Sequence, residues 1–392
     1  MRSAFLPYCL PYIGEEEIQE VVDSLRSGWI TSGPKVQRFE QDFAGYAGCR
    51  HAIAVSSCTA ALHVSLAALG VGPGDEVVVP TLTFCATANV VVHLGATPVL
   101  VDVDQHGHLT AEAAERALTP RTRAILPVHY AGQACDLDAL RELASRRGVA
   151  LVEDAAHAAG CEYRGSKIGA QGRAVAFSFY AIKNMTTGEG GMVATDDDEF
   201  AQRVRLLALH GMSRDAWKRY AQSGSWYYEV HEPGYKYNMT DLQASLGIHQ
   251  LRRLDGFLER RRRLAALYDA AFADLSELRL PADLPGRRHA YHIYPVQLRG
   301  LSIDRAQFID ELRQANIGTS VHFIPLHRQP FYQERYGYSP ASFPVAEEIY
   351  AGLLSLPLYP RMTDEDAGDV IRAVREIVRN RKGIPSHVSV AG

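Results

Sequence analysis

Over its first two thirds the chain alternates short apolar runs with amphipathic stretches. "GEEEIQEVVDSLRSG" (14–28) carries acids in its first turn and ends on Gly28, which predicts a helix. "HAIAV" (51–55), "DEVVVP" (75–80), "PVLVDV" (98–103), "RAILPVH" (123–129) and "VALVED" (149–154) predict strands. Between them, "SSCTAALHVSLAALG" (56–70) and the stretches 84–94, 110–118 and 136–147 predict helices. Strand, helix and strand at this spacing give parallel βαβ units, and continuously apolar strands suit a sheet covered on both faces. "AVAFSFY" (174–180) and Gly191–Thr195 predict two more strands around the loop "AIKNMTTGEGG". "GVGPGD" (70–75) is a turn leading into a strand and so is no dinucleotide fingerprint.

After about Leu242 the pattern changes. A long helical stretch (241–275) leads to a strand at 290–298, a helix at 303–315, a strand "GTSVHF" (318–323) and a last helix from Thr363. The reading is a large α/β domain over 1–248 that includes the N-terminal segment, a smaller α+β domain over 249–380, and a flexible tail over 381–392.

Composition narrows this little: 47% hydrophobic and 22% charged residues with net charge −4 describe an ordinary globular chain of 392 residues. Neither a nucleic-acid footprint nor an acidic tail follows. The basic run Arg260–Arg263 reads as a solvated helix face. No apolar run spans a bilayer, and the N-terminus lacks a signal peptide's apolar region, so a cytoplasmic protein without membrane contact is expected. Six scattered cysteines give neither a zinc pattern nor a disulfide framework, and His322 and His327 stand without acidic or cysteine companions, so no metal is expected.

Three elements carry chemistry. Lys183 follows a buried strand and precedes the glycine-rich "TTGEGG"; a lysine in a partly buried pocket is pushed toward its neutral, nucleophilic form. Asp154 ends a parallel strand, at the edge where open α/β sheets bind ligands. Ser57, Cys58 and Thr59 open a helix directly after a strand, a ready anion site. Singly these read as a surface lysine, a turn aspartate and a helix cap. Together they match pyridoxal phosphate, whose phosphate needs N–H and hydroxyl donors, whose ring nitrogen needs a carboxylate and whose aldehyde needs an amine.

The chain also resembles the pyridoxal-phosphate-dependent nucleotide-sugar aminotransferases, the DegT-type branch of fold type I. The likeness rests on "SGWITSGP" (27–34), "SSCTAAL" (56–62), "PTLTFCATANVV" (80–91), "VEDAAHAAG" (152–160), "FSFYAIKNMTTGEGGMV" (177–193), "GYKYNMTDLQASLG" (234–247) and "IGTSVHFIPLH" (317–327). It implies an aspartate-aminotransferase-like fold, with a mostly parallel seven-stranded sheet and a smaller C-terminal domain, in a homodimer that shares its sites across the interface. By position, the resemblance makes Lys183 the Schiff-base lysine and proton carrier, and Asp154 the partner of the ring nitrogen. It puts His157 by the ring oxygen, Phe84 against the ring, and Ser178, Thr59 and Cys58 around the phosphate. Lys236 and Asn238 are alternatives for a phosphate contact reaching in from the second subunit, where many relatives have a Gly-Tyr-Asn-x-Arg pattern instead. Trp29, Thr31 and His322 fall near the substrate.

The implied reaction is amination of a 4-keto UDP- or dTDP-sugar with L-glutamate as donor, through pyridoxamine phosphate. The alternatives are a 3-keto-sugar or cyclitol aminotransferase and a non-catalytic cofactor-binding regulator. Relatives that deoxygenate carry histidine in place of the lysine, and Lys183 argues against that chemistry.

Overall fold

In the computed structural model, which describes residues 2–212 and 227–382, the apolar runs become neighbours in one sheet. Its strands are β1 (His51–Val55), β2 (Glu76–Pro80), β3 (Thr97–Val101), β4 (Thr122–Ile125), β5 (Ala150–Ala155), β6 (Ala174–Ser178) and β7 (Gly191–Thr195). They lie in the order β1-β7-β6-β5-β4-β2-β3. β7 alone is antiparallel to the rest: it pairs with β6 at Ser178↔Gly191 and with β1 at Val55↔Gly191. The predicted helix at the N-terminus is α1 (Glu15–Ser27), closed by Gly28 at φ 74°. α2 (Pro34–Ala47) was not predicted, although Val36, Phe39, Phe43 and Ala47 form its buried stripe. α3 (Cys58–Ala68), α4 (Ala86–His93), α5 (Ala111–Ala117), α6 (Leu137–Arg147) and α7 (Asp198–Ala208) cover the sheet. α3 is buried almost all round, as expected of a helix between sheet and outer layer.

The long helix α8 (Asp241–Phe272) runs through residue 248 without a break. Its first half packs Ala244, Ile248, Leu251, Leu254 and Leu258 with α2 and the sheet. Its second half packs Leu264, Ala265, Tyr268 and Phe272 into another core. That core is built on a small sheet of β8 (Leu278–Arg279), β9 (Tyr294–Leu298) and β10 (Leu353–Leu356), with α9 (Arg305–Gln314) and α10 (Asp364–Asn380). The N-terminal residues, grouped by the sequence with the larger unit, pack here: Leu6 is buried in this core and bridges to Ile317, and Arg2 pairs with Asp366 and Asp369.

Two expectations need correction. "GTSVHF" is no strand: Ser320 makes one bridge to Ser355, after which the chain leaves the sheet and Tyr130 Oη binds the His322 carbonyl at 2.5 Å. Nor is Arg260–Arg263 a solvated face. Arg260 and Arg263 do pair with Asp364, but Arg262 donates to the His289 carbonyl and Arg261 is 1% exposed. Arg261 Nη1 donates to the carbonyls of Tyr291 (3.3 Å), His292 (3.1 Å) and Leu358 (2.6 Å). Truncating Arg261 to alanine orphans these carbonyls at about 1–3 kcal/mol each. Arg261→Ala is therefore expected to lose at least about 3 kcal/mol, read as a lower urea midpoint of the cofactor-free protein.

The predicted tail lies outside the described residues from position 383 onward. Among the described residues, no helix is long and apolar enough to cross a membrane.

Candidate functional site

The carboxyl ends of β1, β2, β5 and β6 and the amino end of β7 open on a single cavity of about 460 Å³. Each strand delivers its group there because the parallel strands all stop at the same edge. Ser57, Cys58 and Thr59 follow β1, Phe84 follows β2, Asp154 and His157 come from the end of β5, and Ser178 and Lys183 from the end of β6.

Asp154 forms the floor. It is 4% exposed, and its carboxylate accepts from Ala156 N (3.0 Å) and Thr87 Oγ1 (2.9 Å), with Cys58 Sγ at 4.0 Å. Burial pushes its pKa up, while the two hydrogen bonds and the charge of Lys183 pull it back. A buried carboxylate held by neutral donors has capacity left for a cationic N–H.

Lys183 enters from the side. β6 ends at Ser178, and a turn closed by Lys183 N to Tyr180 O (2.9 Å) lifts the lysine to the cavity wall. The rest of the loop is tied down by Thr186 Oγ1 and Thr187 N, both donating to Phe179 O. Burial lowers the Lys183 pKa from 10.5 to about 8, against the opposing pull of Cys58, Asp154 and Cys9. At neutral pH an appreciable fraction is therefore the free amine.

The anion cradle is the start of α3. Ser57 Oγ accepts from Ala60 N at 3.0 Å, and the first helical bond is Ala61 N to Ser57 O. The N–H groups of Cys58 and Thr59 precede it and have no helical acceptor. Gly191 packs against this turn: a Cβ there would stand 2.4 Å from the Ser57 carbonyl and 2.6 Å from Cys58 N. The Cys58 side chain points away from the cradle, toward Asp154 and the Ala176 carbonyl, so only its backbone can serve an anion.

His157 and His322 line the wall. Burial holds both below the ordinary histidine pKa, His322 at about 4, so both are neutral. His322 Nδ1 bonds Ser355 Oγ at 3.0 Å. Both His327 nitrogens are engaged, by Thr81 and Glu347, in a structural role. Phe84 stands at the mouth, 58% exposed, with Phe323 at 5.9 Å.

Four predicted residues lie outside this cavity in their own chain. Lys236 Nζ donates to Asn238 Oδ1 (2.5 Å), and Asn238 Nδ2 donates to Ser32 Oγ (2.7 Å). Trp29 is exposed and donates to the Ser32 carbonyl, and the Thr31 carbonyl accepts from Asp241 N.

The sequence reading also missed three neighbours. Thr87, the hydroxyl donor to Asp154, stood within a motif already singled out, one turn after Phe84. Phe323 lay in the segment misread as a strand. His292, 3.4 Å from Lys183 Nζ, gave no signal, because it sits in an apolar run read as a strand over 290–298; the strand in fact begins at Tyr294 and leaves His292 before it.

The donor set fits pyridoxal phosphate. Asp154 would hold the ring nitrogen, Lys183 the aldehyde carbon, the α3 turn and Ser178 the phosphate, and Phe84 the ring face. The buried Nδ1 of His157 has no partner among the described residues, leaving a donor or acceptor for a ring substituent.

Known proteins resemble this chain in sequence and fold. Residues 11–375 match the DegT/DnrJ/EryC1/StrS aminotransferase family. The spore coat polysaccharide biosynthesis protein SpsC of Bacillus subtilis is 53% identical over 96% of this chain and 98% of its own. Spr1654 of Streptococcus pneumoniae, assigned as a sugar aminotransferase and solved in its PLP form, superposes with a TM-score of 0.90 at 35% identity, covering 96% of this chain and 99% of that one. PseC of Helicobacter pylori, an aminotransferase of pseudoaminic acid biosynthesis, does so with a TM-score of 0.88 at 27% identity, covering 96% and 100%.

Proposed function

The chain belongs to the DegT/DnrJ/EryC1/StrS aminotransferase family and is a pyridoxal-phosphate-dependent sugar aminotransferase, and on that premise we propose that its acceptor is a 4-keto UDP- or dTDP-sugar and its amino donor L-glutamate. The observation that carries the reading is the single cavity in which Lys183, Asp154 and the α3 turn converge. The segment "GTSVHFIPLH", whose His322 and Phe323 line the cavity, resembles that of 4-aminating relatives, and this likeness is what favours position 4.

When bound, the cofactor supplies an aldehyde that takes up the amino group and a ring that stores the electron pair of the broken C–H bond. The residues do the rest. The Asp154 carboxylate keeps a proton on the ring nitrogen, which makes the ring a sink. Lys183 Nζ, its pKa lowered to about 8, takes the proton from the donor carbon and returns it at the sugar carbon during the second half-reaction. Cys58 N–H, Thr59 N–H and Ser178 Oγ fix the phosphate end. Trp29, Thr31, Lys236 and Asn238 fit this reading as residues of a homodimer that reach the partner's cavity, in a cytoplasmic enzyme.

The test is the reverse half-reaction with a panel of UDP- and dTDP-linked amino sugars. 4-Amino sugars are expected to convert the cofactor to its amino form within one turnover, seen as bleaching of the visible band. A response confined to 3-amino sugars or amino cyclitols would overturn the regiochemistry.

A further inference from the structure

Behind Lys183 stands a histidine that the reaction scheme above leaves unused. His292 is 3% exposed, and its Nε2 lies 3.4 Å from Lys183 Nζ. Its backbone is held from two sides. His292 N donates to Ala131 O at 3.0 Å, on a turn after β4 where Ala131 adopts φ 59°, and the His292 carbonyl accepts from the buried Arg261 at 3.1 Å. The ring lies against that of His157, with centroids 4.3 Å apart. It therefore cannot follow the lysine when Nζ moves; the lysine must come to it.

With Lys183 as the ammonium, the bond also selects the tautomer. To accept from Lys183, Nε2 must be bare, which puts the ring proton on Nδ1. That nitrogen is buried and has no partner among the described residues. A buried donor left unpaired is destabilising, and its persistence at an active site calls for a reason. Burial, His157, Lys183, Arg261 and His322 all hold the imidazole neutral.

We infer that His292 is a positioning residue for Lys183: its fixed Nε2 holds the lysine ammonium at the cavity wall once the amine is released, so that the proton carried on Nζ stays within reach of the reacting carbon. The inference rests on the reading of Lys183 as the proton carrier. The groups facing Nζ are Asp154 from β5, Cys58 from α3, Cys9 from the N-terminal segment, and the neutral rings of His157, His292 and His322. A neutral acceptor stabilises the ammonium more than the amine, so its removal lowers the lysine pKa further.

The test uses two readouts on His292→Leu and His292→Gln. In the cofactor-free protein, acetylation of Lys183 by acetic anhydride is followed against pH by peptide mass spectrometry. The wild-type midpoint is expected near 8. In His292→Leu it should fall by about one pH unit, the scale of one charge-assisted hydrogen bond. In His292→Gln, whose amide oxygen can replace Nε2, it should return to within about half a unit of wild type. In the loaded enzyme, His292→Leu should lower kcat about tenfold with KM for the sugar unchanged, and His292→Gln should recover most of the loss.

An unmoved midpoint in His292→Leu, or a His292→Gln midpoint displaced as far as that of the leucine variant, would overturn the inference. Should the leucine variant not fold, His292→Ala takes its place in the same measurement, with the same fall in midpoint expected and an unmoved midpoint overturning the inference. Lys183→Ala separates the two levels. Turnover surviving in it removes the lysine reading and this inference together, whereas an inactive Lys183→Ala beside a wild-type-like His292→Leu removes only the inference.

Discussion

Lys183→Ala is expected to abolish amine transfer, with a loss of about 10²–10⁴-fold from the proton-transfer role alone. Among the described residues, no other amine of the same chain lines the cavity to take its place. The alanine side chain makes room at the wall without disturbing the loop, whose ties run through Phe179, Thr186, Thr187 and the backbone of Lys183. The folded structure should therefore survive, which circular dichroism checks. Small primary amines in the buffer should restore part of the rate, since they can enter the cavity and carry the same proton. Single-turnover transfer from the amino form of the cofactor to the keto sugar is the measurement. Undiminished transfer would remove Lys183 from the chemistry.

Asp154→Asn should separate activity from stability. The amide keeps the shape and can still accept from Ala156 N, but it loses the charge that a protonated ring nitrogen needs. Breaking such a buried ion pair is worth about 3–5 kcal/mol, so turnover should fall by roughly 10²–10⁴-fold. The cofactor-free protein should respond in the opposite sense. Burial raises the Asp154 pKa above its unfolded value, so this group favours folding at low pH and that contribution is lost as pH rises through the folded value. Once that contribution is lost, the ionised carboxylate is a burden to the empty fold, and the asparagine variant should have a urea midpoint equal to or above wild type. A clear drop in the midpoint would mean that Asp154 acts as a structural anchor.

The sequence was most readable where local pattern and site coincide. Strand ends are marked by the change from apolar runs to small polar residues, and in a parallel sheet those ends share one edge. Asp154, the Ser57–Thr59 turn and Lys183 could therefore be placed together before their distances were known, whereas Ser178 was added only by the family resemblance. What it hid depends on long-range contact. His292 and Lys183 are 109 residues apart, and nothing near His292 distinguishes it from a packed histidine. Arg261 looks like its charged neighbours in the helix, and only the meeting of two cores at that turn of α8 buries it. "GTSVHF" has the composition of a strand, yet only Ser320 of this segment bridges to β10, because the chain turns away to the cavity.

That turn of α8 also matters to anyone who would recombine this chain with a relative. The three carbonyls that Arg261 holds all lie downstream of it, so a crossover just before Arg261 carries the guanidinium and its acceptors as one block. A crossover at residue 248 would instead divide the face that Ala244, Ile248 and Leu251 share with the large sheet. Even the better junction leaves Arg2 and Leu6 behind, with Asp366, Asp369 and Ile317 in the graft. An exchangeable C-terminal module therefore comes in two pieces of chain, and a working chimera must import the first few residues along with everything from Arg261 onward.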